Sequence, residues 1–192
     1  GKKIFSSPPR AQLAEGFLFG ILHAVNKQRK IGLFDSGLGG LTVLHALEEK
    51  LPGVDKVYYG DTLHLPYGDK SDEAIRSFSR EIVGFLAAQG CDVIVIACNS
   101  ASAAAGSMLE ESFPDLTFIN VIDPVVAALA GSVPRKTALL GTRATVRSGA
   151  YAKRLAAFKV PHELVALPTP LLVPLIEDGF LGSGIEESVL EH

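Results

Sequence analysis

Tryptophan is absent from the 192 residues, methionine occurs once, cysteine twice, and aromatics make up only 7%. The core is therefore expected to rest on Leu, Val, Ile and Ala. Two cysteines exclude the disulfide framework of a small secreted domain. The pair, Cys91 and Cys98, brackets residues 92–97, which read as an extended buried strand. At about 3.3 Å per residue that strand holds the thiols roughly 20 Å apart, too far to bridge. Two reduced thiols are expected. An excess of positive charge is also lacking. A net charge of -3 offers no broad field for nucleic acid phosphates, so no nucleic acid partner is expected. No long apolar run occurs near the N-terminus, where residues 16–22 fall far short of the roughly 20 that span a bilayer. Lys2 and Lys3 precede that run, but Pro8, Pro9 and Arg10 interrupt the approach to it, and Asn26-Lys27-Gln28-Arg29-Lys30 stands where a small-residue cleavage site would be. Residues 1–30 thus read as an N-terminal extension of a cytoplasmic protein with no membrane association.

What is present alternates. Residues 30–35 form an apolar run ending in a glycine-rich turn, and 41–47 have helical spacing until Pro52-Gly53. A second strand is expected at 55–61. Residues 71–89 form an amphipathic helix with Ile75, Phe78, Ile82, Phe85 and Leu86 at intervals of three or four, closed by Gly90. A strand at 92–97, a small-residue helix from Ser100 to about Glu111 and a strand at 116–121 follow. Pro124 opens a helix with Asp123 as its expected cap. Residues 136–142 form a strand-to-loop unit, succeeded by one helix through Tyr151 and Leu155. Short apolar strands alternating with helices indicate an α/β fold with largely parallel sheets flanked by helices. Ligands of such sheets bind where strands end and helices begin.

Five strand ends carry polar chemistry: Asp35-Ser36-Gly37-Leu38-Gly39-Gly40, Gly60-Asp61, Pro66-Tyr67-Gly68, Cys98-Asn99-Ser100-Ala101 and Gly141-Thr142-Arg143-Ala144-Thr145. Backbone N–H groups at helix starts, with Ser36, Asn99, Ser100 and Thr142 as neutral donors, suit a carboxylate. Cysteine in an α/β protein is ordinarily a small buried hydrophobe. Cys98 departs from that by its place between a strand and a helix, where N–H dipoles are expected to lower its pKa below about 8.5. Cys91, at the opposite edge of the strand, keeps the inert reading. The glycine-rich loop lacks the Lys-Ser/Thr ending of a P-loop, and alone it reads as a tight turn capped by Ser36. Tyr67 can shape a turn and Asp61 can cap the following segment. His64 has no assigned role, and Arg143 and Arg147 read as solvated helix residues.

Residues 30–43, Tyr59-Gly60-Asp61 with Pro66-Tyr67-Gly68, and Ala97-Cys98-Asn99-Ser100-Ala101 resemble three successive signatures of glutamate racemases, within the aspartate/glutamate racemase superfamily. Serine stands at 100 in place of the usual threonine and keeps the hydroxyl. Gly141-Thr142-Arg143-Ala144-Thr145 and Leu172-Val173-Pro174-Leu175-Ile176-Glu177 extend the likeness over about residues 30–190. The resemblance implies an isomerase that interconverts L- and D-glutamate by two-thiol proton transfer without a cofactor or metal, supplying D-glutamate for peptidoglycan, cell wall biogenesis and cell shape. It implies Cys98 and Asp35 as catalytic, with Asp35, Ser36, Tyr67, Gly68, Asn99, Ser100, Thr142 and Thr145 holding the substrate; homo-oligomerisation stays open. The family's second cysteine lies in a Cys-Thr-His motif that does not occur in the 192 residues. The expected division is therefore an extension at 1–30, a first α/β domain at 31–122 carrying Cys98, and a partial second α/β domain at 123–192. A sister racemase, a one-cysteine decarboxylase and a non-catalytic carboxylate-binding module remain as alternatives.

Overall fold

The computed structural model describes residues 29–133, 136–177 and 179. Apart from Arg29 and Lys30, the extension expected at 1–30 lies outside the described residues.

A four-stranded parallel sheet organises the first part of the chain. Its strands are β1 (Ile31–Asp35), β2 (Lys56–Gly60), β3 (Val93–Ile96) and β4 (Thr117–Asn120), in the spatial order β2-β1-β3-β4. β1 and β3 are central and buried along their whole length, which accounts for their unbroken apolar sequences. Helices α1 (Leu41–Lys50), α2 (Asp72–Ala88) and α3 (Asn99–Ser112) connect them. On one face, Phe34, Ile94 and Ile96 pack with Ile75, Ile82, Val83 and Leu86 of α2 and Ala101, Ala105 and Leu109 of α3. On the other, Ile31, Leu33, Val93 and Val95 pack with Leu47 of α1 and Leu51. The expected helix at 71–89 is observed at 72–88, with Ser71 Oγ accepting from Ala74 N at 3.2 Å and Gly90 at φ +81° just beyond its end.

The second part begins with α4 (Ile122–Ala130) and continues through β5 (Lys136–Gly141), α5 (Arg143–Ser148), α6 (Ala150–Ala157), β6 (Glu163–Pro168) and α7 (Leu172–Glu177). β5 and β6 form a parallel pair. The local core joins Ile122, Val126 and Leu129 to Ala150, Tyr151 and Leu155. The described residues are α/β, with parallel sheets flanked by helices.

Two local expectations need correcting. The single helix through Tyr151 is two helices, because Gly149 takes a left-handed φ of +63° and turns the chain between α5 and α6. Asp123 does not cap α4. The helix begins two residues earlier than expected, at Ile122, and Asn120 Oδ1 accepts from Ile122 N and Asp123 N, each at 3.0 Å. Asp123 instead pairs with Arg154 at 2.6 Å. Strand β6 has no counterpart in the sequence reading.

Candidate active site

Asp35 ends β1 with a buried carboxylate, which accepts from Gly37 N at 3.2 Å and Gly40 N at 2.9 Å. This acid closes the glycine-rich turn. Ser36 does not cap it, since α1 starts after Gly40 with no side-chain cap. The turn is also tight: a Cβ on Gly40 would lie 2.6 Å from Asp35 Cβ. Ser36 is thereby left to face the turn after β3, where its Oγ accepts from the Cys98 thiol at 3.3 Å.

Cys98 caps α3, and Ala101 N donates to its sulfur at 3.4 Å. It is only 5% exposed. Burial pushes the thiol pKa up, and the charge of Asp35 adds to the rise. Hydrogen bonds from Ser36 and Ala101 favour the thiolate but do not outweigh these effects. The expected lowering is therefore reversed. The N–H donors are present as foreseen, but the thiol they face is desolvated and stands beside a carboxylate. Cys91 is buried and free, and burial raises its thiol pKa as well.

The next two residues lean on the second part of the chain. Asn99 is exposed, and its Oδ1 accepts from the Tyr151 hydroxyl at 2.6 Å. Ser100 is buried, with its Oγ 2.9 Å from Thr142 Oγ1 and 3.4 Å from Thr145 Oγ1. Thr142 caps α5 by accepting from Thr145 N at 3.2 Å. Gly68 presses on the same threonine, for a Cβ there would meet Thr142 Cβ at 2.7 Å. Arg143 and Arg147 are exposed but not merely solvated. They pair with Asp69 at 2.8 Å and Asp72 at 2.9 Å, tying α5 to the segment that carries Tyr67 and Gly68.

Tyr67 lies in a 3₁₀ turn at Tyr67–Asp69, and its phenol turns inward to donate to Asp61 Oδ2 at 2.6 Å. Burial, followed by the bond to Asp61, drives the phenol pKa upward. Asp61 is a buried acceptor rather than a cap: both its oxygens also lie 2.9 Å from His64 Nδ1. His64 stacks on Phe78 with ring centroids 4.0 Å apart. The sequence reading missed this role for His64, although an acid and a histidine three residues apart in one turn were a usable signal. It also missed Tyr58, whose hydroxyl donates to Gly37 O at 3.1 Å. Burial, then the charges of Asp35, Cys98 and Glu177, pushes Tyr58 up to about 12. Glu177 of α7 reaches the same loop, its Oε1 3.0 Å from where a Gly37 Cβ would stand.

The expected residues thus meet in two adjoining groups. Asp35, Ser36 and Cys98 form one; Asn99, Ser100, Thr142, Thr145 and Gly68 form the other, continuous with it through residues 98–100. Only the Tyr67 side chain points elsewhere. A family model described as Asp/Glu/Hydantoin racemase matches residues 31–180.

The chain belongs to the Asp/Glu/Hydantoin racemase family. Over 164 residues this family member is 45% identical to a glutamate racemase of Aquifex aeolicus, covering 85% of the chain and 63% of that relative. A glutamate racemase structure from Francisella tularensis, in complex with D-glutamate, matches with a TM-score of 0.80 and 36% identity over 85% of this chain and 61% of its own. One from Thermus thermophilus, in complex with β-chloro-D-alanine, matches with 0.75 and 42%, covering 86% of this chain and 61% of its own. The racemase-family chain therefore spans less than two thirds of the length of these relatives. Among its described residues, no helix is long and apolar enough to cross a membrane.

Proposed function

We propose that this chain forms the Cys98 side of a glutamate racemase site, an isomerase that moves the α-proton of glutamate by thiol chemistry without a cofactor. The observation that carries the reading is the buried Cys98 thiol, set against Ser36 and Asp35 at a sheet end whose neighbouring side chains are neutral donors. In this reading Cys98 and Asp35 are catalytic. Asp35, Ser36, Gly68, Asn99, Ser100, Thr142 and Thr145 hold the substrate, and Tyr67 shapes the loop from which Gly68 and its backbone N–H groups act. The domains divide at 31–122 and 123–192.

The chemistry follows from the charges. The α-C–H of an amino acid is weakly acidic, so its removal needs a strong base and donors for the negative charge that develops. Burial and Asp35 make the Cys98 thiolate scarce but strongly basic. A bound substrate ammonium would supply the opposite charge and favour the thiolate. The C–H bond breaks as an S–H bond forms, and the electron pair passes from carbon into the carboxylate. A thiol on the opposite face then returns a proton to carbon. No second such cysteine occurs among the 192 residues. Cys98 alone is expected to exchange the α-proton on one face without inverting the centre.

Deuterium wash-in from D₂O, run separately with D- and L-glutamate, tests this. One enantiomer should exchange and Cys98→Ala should abolish it; equal exchange in that variant removes Cys98 from the mechanism. D-glutamate binding without exchange would favour a carboxylate-binding module instead. The same reading carries D-glutamate supply for peptidoglycan in the cytoplasm, with assembly into a homo-oligomer left to a sedimentation measurement.

A further inference from the structure

Tyr151 is 6% exposed and sits in α6 among Ile122, Val126 and Leu155, so packing in the second part of the chain fixes its ring. Its hydroxyl crosses to α3 and donates to Asn99 Oδ1 at 2.6 Å. Without Asn99 that hydroxyl would be a buried donor with no acceptor, an arrangement costing about 1–3 kcal/mol. Burial holds the phenol up at about 12, so it stays a donor at physiological pH. Asn99 is exposed and directly follows Cys98. A carboxamide can present either its oxygen or its NH₂ to a cleft, and only the NH₂ favours an anionic ligand. A donor fixed behind it selects the oxygen. Among the described residues, Asn99 Nδ2 has no hydrogen-bond partner.

We propose that Tyr151 is a positioning residue acting through Asn99: it holds the carboxamide oxygen away from the ligand and leaves both Nδ2 protons for a carboxylate beside Cys98. The inference deepens the proposed glutamate site and rests on that reading for its ligand. Tyr151 is buried behind Asn99 and its hydroxyl bonds to that residue, so its effect on a ligand passes through Asn99. That separates it from a residue that merely supports the fold.

The test combines ¹⁵N spectra of the Asn side-chain amides with titration of D-glutamate, in the unaltered full chain, Tyr151→Phe, Asn99→Ala and the double variant. The Asn99 Nδ2 pair, identified by its loss in Asn99→Ala, should shift in Tyr151→Phe while the backbone amides of α3 stay in place. Each single variant should weaken D-glutamate binding about tenfold to a hundredfold, as expected for one hydrogen bond to a charged group. The double variant should be no weaker than Asn99→Ala. An unmoved Nδ2 pair, or losses that multiply in the double variant, would overturn the proposal. If the unaltered chain does not bind D-glutamate, the glutamate reading fails, and the Nδ2 pair alone decides the role of Tyr151. Should Tyr151→Phe not fold, the Tyr151 hydroxyl proton supplies the result: protected in the unaltered chain, it should exchange rapidly in Asn99→Ala. Protection that persists would refute the link.

Discussion

Gly68→Ala adds one methyl group where the two parts of the chain touch within the candidate site. The new Cβ would lie 2.7 Å from Thr142 Cβ, 2.8 Å from its Cγ2 and 3.4 Å from its Oγ1. Carbon contacts settle at about 3.5–4.0 Å, so the pair must open by close to 1 Å. Thr142 has little freedom to retreat, because its Oγ1 accepts from Thr145 N and meets Ser100 Oγ at 2.9 Å. Overpacking of this kind costs about 1–3 kcal/mol, and losing the threonine cap adds about 1. Against this, alanine stiffens the unfolded chain, which returns about 0.4–1 kcal/mol. The net expectation is a loss of about 1–3 kcal/mol, read as a melting temperature lower by roughly 3–10 °C. Urea denaturation measures the free energy directly. The same substitution in a Thr142→Gly background should cost nothing further, since the atoms in its way are gone. A variant as stable as the unaltered chain, or an equal penalty in both backgrounds, would refute the steric reasoning.

Two more outcomes follow from the buried acids. In a Cys91→Ala background, the pH midpoint for alkylation of Cys98 should lie above the ordinary thiol range, because burial and Asp35 both disfavour the anion. Below that midpoint the rate should rise about tenfold per pH unit with the thiolate fraction. Asp35→Asn keeps an oxygen for Gly37 N and Gly40 N but removes the charge, so the midpoint should fall; a rise or no change would count against a field from Asp35. Tyr67→Phe strips one donor from the buried Asp61 carboxylate and leaves His64 as its side-chain partner. Stability by urea denaturation at pH 7 should drop by about 1–3 kcal/mol, and a loss under about 0.5 would mean that water replaces the phenol.

How far the site can be read from the sequence depends on whether neighbours in the chain or neighbours in space decide each feature. The strands and most helices were legible because their signals are local: the apolar run at 93–96, the spacing of Ile75, Ile82 and Leu86, and Gly90. The positions gathered at the sheet end were legible too, since parallel strands deliver their C-terminal ends to one edge. The helix break at Gly149 needed a single φ that glycine permits but does not demand. β6 is an exposed strand whose outward residues do not advertise a buried face. Asp123 was misread as a cap because Asn120, three residues earlier, took the helix-start N–H groups and left the acid to an arginine 31 residues away. The reversal at Cys98 has the same origin. A helix start can be recognised from Cys98-Asn99-Ser100, and its dipole favours a thiolate. The opposing effects are burial by α3 and the charge of Asp35, 63 positions earlier, and neither exists until the sheet forms. For a proton-transfer thiol, this lets the fold choose between a nucleophile's low pKa and a base's high one. A lowered pKa would populate the thiolate but weaken it against a carbon acid. By setting Asp35 beside the sulfur and Ser36 as its acceptor, this fold favours the stronger base, and it leaves the arriving ammonium to set when that base is exposed.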